Sequence, residues 1–95
     1  MLQNKLLERA KIKYGVTSDY ALAQKMGLTR GAIYNYQKNI SFFDTKTCVT
    51  LSHILACTPY EIIAHTELER AKKAANEKLI NFWIDEIENM VGGTL

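Results

Sequence analysis

The chain has 95 residues, 47% hydrophobic and 23% charged, enough for one modest core without disulfides or a metal to brace it. Its net charge is only +2, but residues 1–50 hold eight Lys and Arg against three acidic residues, net +5, and residues 51–95 hold four against seven, net −3; attraction for a polyanion therefore belongs to the N-terminal half. No apolar run approaches the roughly 20 residues that span a bilayer, and the opening Met-Leu-Gln-Asn-Lys lacks the apolar stretch of a signal peptide, so the expected location is the cytoplasm.

The pattern predicts an all-α, compact bundle of five to six helices. The first covers about residues 3–14, with Leu2, Leu6, Leu7 and Ala10 inward and Gly15 as its stop. Residues 19–38 then read as two short helices around a glycine-centred turn. Leu22 and Met26 give the first its buried side, and Ala23 is the small residue that a close helix crossing needs. Gly27 takes the left-handed conformation, Leu28 plugs the corner, and Thr29 caps the second helix. In that helix Ile33 and Tyr36 are apolar anchors, and Arg30, Gly31, Tyr34 and Asn35 stand on the opposite face. This is the spacing of a helix-turn-helix, whose second helix enters the major groove of DNA.

In the loop at residues 39–43, Ile40, Phe42 and Phe43 are expected to tuck under the bundle. Asp44 or Thr45 caps a fourth helix containing Val49, Leu51, Ile54 and Leu55. Thr58-Pro59-Tyr60-Glu61 opens a fifth with threonine at N-cap, proline at N1 and glutamate at N3. No further proline or glycine occurs before Gly92, so this stretch is one long helix or two, with a break near Ala75-Asn76. At its end Leu79, Ile80, Phe82, Trp83, Ile84, Ile87, Met90 and Val91 cover an apolar arc of roughly 200° at 100° per residue. Residues 1–57 thus form the DNA-binding bundle and residues 58–95 a helical extension packed on it, within a single compact domain.

Cys48 and Cys57, nine residues apart along one expected helix, would lie about 13 Å apart, beyond the reach of a disulfide. The order Cys48, His53, Cys57, His65 matches no common zinc spacing, and no metal or cofactor is implied. There is no phosphate-binding glycine loop, no His-Glu-x-x-His and no nucleophile motif, so the chain does not read as an enzyme; the acidic pairs Asp85-Glu86 and Glu86-Glu88 read as a solvated face.

Ser18-Asp19-Tyr20-Ala21-Leu22-Ala23, then Gly27-Leu28-Thr29-Arg30, Ile33 and Tyr36, resemble the helix-turn-helix of phage repressor and Cro-type regulators, small prophage and filamentous-phage repressors in particular. The likeness covers about a quarter of the chain and continues more weakly through residues 58–64 and 67–71. Two positions depart from it. Many members have a phosphate-binding glutamine where Asp19 stands; an aspartate would be repelled, and the role is not transferred. Many have tryptophan where Tyr36 stands, a tolerable exchange for a core aromatic.

The expected function is sequence-specific transcriptional regulation, by a repressor that binds a palindromic operator as a homodimer. Arg30 would grip guanine O6 and N7 together, Asn35 would pair with adenine, Tyr34 would pack on a thymine methyl or reach a phosphate, and Gly31 would let the backbone approach the groove. Lys38, Asn39, Ser41 and Lys46 are expected at phosphates, with Ser18, Tyr20 and Thr29 as further contacts. The apolar arc needs a second cover, and the expected one is another copy of the chain, held through Leu79, Phe82, Trp83, Ile84, Ile87, Met90 and Val91 with Trp83 near the centre. A twofold axis would set two recognition helices about 34 Å apart on double-stranded DNA. Neither a membrane nor a small-molecule substrate is an expected partner. An alternative stays open: a protein-interaction module, such as an antitoxin or anti-repressor, whose apolar C-terminal helix grips a different protein.

Overall fold

A computed structural model describes residues 2–90, which form six helices and no strand. They are α1 (Leu2–Tyr14), α2 (Asp19–Met26), α3 (Arg30–Gln37), α4 (Thr45–Leu55), α5 (Pro59–Lys73) and α6 (Glu77–Glu88). Five of the six start on a side-chain cap. Ser18, Thr29, Asp44, Thr58 and Asn76 each accept from the amide three residues on, at 3.0, 3.0, 2.8, 3.3 and 3.2 Å. Every one satisfies an amide that the helix ladder leaves over. None of these helices is long and apolar enough to cross a membrane.

The core is assembled from Leu6, Leu7 and Ala10 of α1, Leu22, Ala23 and Met26 of α2, Ile33 and Tyr36 of α3, Phe43, Cys48, Leu51 and Leu55 of α4 and its lead-in, and Ile62 of α5. Tyr36 is held twice. Its ring meets Phe43 edge-on at 4.9 Å, and its hydroxyl lies 3.3 Å from that of Thr47. The phenol thus gains a buried polar partner on α4 that an indole at this position would have to replace.

Gln3, outside every apolar set read from the pattern, is buried and central. Its Nε2 lies 2.9 Å from the Tyr36 carbonyl, 3.0 Å from that of Ser41 and 3.3 Å from Asn39 Oδ1, and its Oε1 accepts from the Phe43 amide at 2.8 Å. One amide on α1 therefore fastens the end of α3 and the loop beyond it. A buried backbone group inside an irregular loop needs such a partner.

Several expectations are corrected. Ile40 is 58% exposed, and only Phe43 of the loop's three apolar residues is in the core, whereas Leu2 packs against it as expected, partly buried. Phe42 is half-buried beneath the cations of Arg70 and Lys73, 5.2 and 5.6 Å from its ring centroid. Cys57 is not on α4: the helix ends at Leu55, Ala56 turns left-handed at φ 55°, and Cys57 follows in the turn. Both thiols are free. Burial pushes the Cys48 thiol up to about 11, so it stays protonated near neutral pH.

The stretch after Pro59 is two helices. Ala75 adopts φ 52° and Asn76 caps α6, so the chain reverses without a glycine. α5 and α6 pack as an antiparallel hairpin, with Tyr60 near the start of α5 donating to Glu86 Oε1 near the end of α6 at 2.7 Å. No residue of α6 is fully buried. The glycines expected to end the last helix, Gly92 and Gly93, lie outside the described residues.

Gln3→Leu keeps the volume but orphans the Phe43 amide and the Ser41 carbonyl; at about 1–3 kcal/mol for each unsatisfied group the variant should lose about 2–6 kcal/mol. Urea unfolding monitored by circular dichroism checks this, and an unchanged midpoint would show the network to be dispensable.

Candidate nucleic-acid interface

Between α2 and α3 the chain turns within three residues. Gly27 sits at φ 70°, ψ 31°, which lets the Leu28 amide reach back to the Ala23 carbonyl at 2.8 Å. Thr29 is extended and caps α3 through its side-chain oxygen, and an accepting hydroxyl still has a hydrogen to donate outward. Ile33 and Tyr36 point into the core. Arg30, Gly31, Tyr34 and Lys38 are exposed, whereas Asn35, expected beside them, is half-buried at the edge of the row. Arg30, Tyr34 and Lys38 stand four residues apart on one side of the helix, with the Lys38 amine 5.9 Å from the centroid of the Tyr34 ring.

Gly31 is not required by packing. A Cβ built there would meet only the Thr29 hydroxyl, at an ordinary 3.8 Å. Its backbone is helical, so the glycine weakens α3 by about 1 kcal/mol relative to alanine without any internal gain. Close approach of the α3 backbone to an outside surface would account for it.

Asp19 has a structural role. Lys11 Nζ lies 2.7 Å from its Oδ1, and Gln37 Nε2 donates to the same oxygen at 3.1 Å. One carboxylate at the start of α2 thereby joins α1 to the last turn of α3. The hydrogen bond from Lys11, reinforced by that from Gln37 and by the charge of Arg30, holds the Asp19 carboxyl below the usual carboxylate range. The start of α2, where Ser18 and Tyr20 are exposed, is thus tied to the end of α3, where Lys38 is exposed. Tyr20 accepts from Gln24 Nε2 at 2.9 Å, which steadies its ring on the surface.

Beyond α3, Asn39 is left-handed at φ 54° and half-buried, its side-chain oxygen turned to Gln3. Ser41 is half-buried with its carbonyl on Gln3, and Lys46 is exposed in the first turn of α4. Among the expected phosphate contacts, Ser18, Tyr20, Thr29, Lys38 and Lys46 are therefore open, and Asn39 and Ser41 are partly engaged inside. Unforeseen neighbours are Arg70 and Lys73 of α5. Lys73 Nζ donates to the Asn39 carbonyl at 2.6 Å.

The apolar residues of α6 divide. Trp83 is half-buried, facing Tyr60 with ring centroids 6.4 Å apart and meeting Phe82 edge-on at 5.0 Å; Ile87 and Met90 are also half-buried. Leu79, Phe82 and Ile84 are 45%, 50% and 36% exposed. The open apolar surface therefore centres on Leu79 and Phe82 more than on Trp83. Val91, expected at the same contact, lies outside the described residues. Among the described residues no group of three or more His, Cys, Asp and Glu is placed to hold a metal ion.

Gly31→Ala should raise stability by about 1 kcal/mol and weaken DNA binding, a divergence that paired unfolding and binding titrations would reveal; equal binding by both forms would remove the case for close approach. Asp19→Asn should cost about 0.5–1 kcal/mol at neutral pH, small because the side chain is 43% exposed. Since its folded pKa is lowered, the stabilisation is complete above the unfolded value of about 3.9 and disappears as pH falls through the folded value. The variant should accordingly show a flatter decline of stability below about pH 4, measured by urea unfolding across the acid range.

Searches for a matching family model, curated protein or solved structure return no match to this chain.

Proposed function

We propose that this chain is a sequence-specific DNA-binding transcriptional regulator, of the phage or prophage repressor kind, that acts as a homodimer on a palindromic operator. The observation that carries the reading is α3 itself. It is anchored from inside by Ile33 and Tyr36, and it presents Arg30, Tyr34 and Lys38 in one outward row beside a glycine for which packing offers no reason.

In this reading α3 lies in the major groove. Arg30, at its N-terminal end, supplies the planar fork that matches guanine O6 and N7, and Tyr34 lies one turn further along. Asn35, at the edge of the row, would reach adenine only at the margin of the contact. Ser18, Tyr20 and Thr29 address phosphates from the helix starts, and Lys38 and Lys46 from the end of α3 and the start of α4. One such helix covers too few base pairs for useful discrimination, and a second copy, joined through the Leu79 and Phe82 side of α6, supplies the other half-site. Occupancy of the operator would then exclude RNA polymerase from the promoter.

A second reading has one specific observation behind it. α6 has no fully buried residue, as expected of a helix that grips a different protein. A heterologous partner predicts a purified chain that is monomeric or aggregates when alone.

The test is binding to duplexes selected from a random pool, with light scattering to fix stoichiometry. The wild type should bind one palindromic sequence tightly as a dimer. Arg30→Ala should lose about 1–3 kcal/mol for the selected site and little for unrelated DNA. Leu79→Glu/Phe82→Glu should yield a folded monomer that binds a half-site weakly. Equal, weak binding of every duplex by wild type and Arg30→Ala would contradict the proposal.

A further inference from the structure

The charge totals place the cations of the C-terminal half within a net acidic segment, but the fold brings two of them back to the end of α3. Arg70 and Lys73 lie one turn apart on α5, both above the ring of Phe42 at 5.2 and 5.6 Å, and both are exposed. Phe42 belongs to the loop that follows α3. Lys73 Nζ sits 2.6 Å from the Asn39 carbonyl in that same loop.

We infer that the basic end of α5 is a further contact to the DNA backbone, with Lys73 as a phosphate ligand and Arg70 beside it, at the loop that follows α3. The inference rests on the DNA-binding reading and extends it to a helix outside the helix-turn-helix.

The chemistry favours Lys73. Among the described residues it forms no ion pair, and an ammonium group with one hydrogen on a carbonyl has two more for an outside acceptor. Arg70 is partly neutralised by Glu67, its Nε lying 3.3 Å from the carboxylate, yet a guanidinium has further donors. Lys72, paired with Glu69 at 4.0 Å, is the weaker candidate. The nearby carboxylate of Asp44 is occupied in capping α4 and accepts from the Thr47 amide at 2.8 Å. The face of Phe42 holds both cationic side chains against the loop, which reduces the freedom they lose when a phosphate arrives.

A purely internal role for Lys73, as a cation beside the carbonyls that end α3, predicts lower stability on its removal and no change in salt dependence. A phosphate ligand predicts the reverse emphasis. The experiment measures affinity for the selected duplex over a series of salt concentrations, for the wild type, Lys73→Gln, Arg70→Gln/Lys73→Gln and Lys73→Arg, with urea unfolding of each. The slope of log affinity against log salt should fall by about 0.9 for each lost contact, equally for selected and unrelated duplexes, and Lys73→Arg should restore it. A wild type that binds DNA while the double variant keeps the same slope overturns this inference and leaves the DNA-binding reading standing. A wild type that binds no DNA overturns both.

Discussion

An eight-residue helix has little stability of its own in water, so whatever α3 presents outward depends on what holds it from within. Ile33 and Tyr36 enter a core made mainly by α1, α2 and α4, and the Tyr36 ring is fixed between Phe43 and the Thr47 hydroxyl. At its start Thr29 caps it, at its last turn Gln37 is bonded to Asp19, and just beyond, Gln3 secures the loop. With both ends and the buried side constrained, the row of Arg30, Tyr34 and Lys38 has one orientation to offer. In the proposed complex that rigidity lowers the entropy cost of binding.

Much of this was legible along the chain because it depends on neighbours in sequence. Gly27 marked a left-handed turn, Thr29 marked one cap and Asp44 or Thr45 another, which Asp44 supplies, and Leu22, Met26, Ile33 and Tyr36 marked the buried sides at helical spacing. Gln3 was hidden for the opposite reason. A glutamine in an amphipathic helix reads as surface, and its acceptors lie 33 to 38 residues away, so nothing local announces them. Asp19 was recognised as unsuited to a phosphate, but its bonds to Lys11 and Gln37 required the fold. Ile40 was misplaced because an apolar residue in a short loop carries no periodicity from which to judge its side. One helix or two stayed open after Pro59, because an alanine at positive φ gives no signal by type; the fold shows two, with the break near Ala75-Asn76 and Asn76 capping the second. Arg70 and Lys73 were assigned to an acidic half by summing along the chain, whereas the folded molecule sets them beside Phe42 and Asn39.

The C-terminal hairpin connects the two requirements of the proposed regulator. α5 lies against α4 and α1, while its far end reaches the loop after α3 through Lys73. α6 covers part of its apolar arc on α5 and leaves Leu79 and Phe82 about half-exposed. A copy docked there would be attached, through one hairpin, to the same loop that borders α3. The separation of two such helices in a dimer would then be governed by how α6 seats on α5, in which the Tyr60 to Glu86 hydrogen bond and the Tyr60 to Trp83 ring contact take part.

In the proposed complex the outward row of α3 and the surfaces flanking it form the DNA-contacting face. Residue-by-residue amide chemical shifts, followed by NMR as a selected duplex is added to the labelled protein, test it most directly. The largest changes should fall at Ser18, Tyr20, Arg30, Gly31, Tyr34 and Lys38, with smaller ones at Lys46 and Lys73. Changes confined to Leu79, Phe82 and their neighbours on α6, with α3 unaffected, would contradict it.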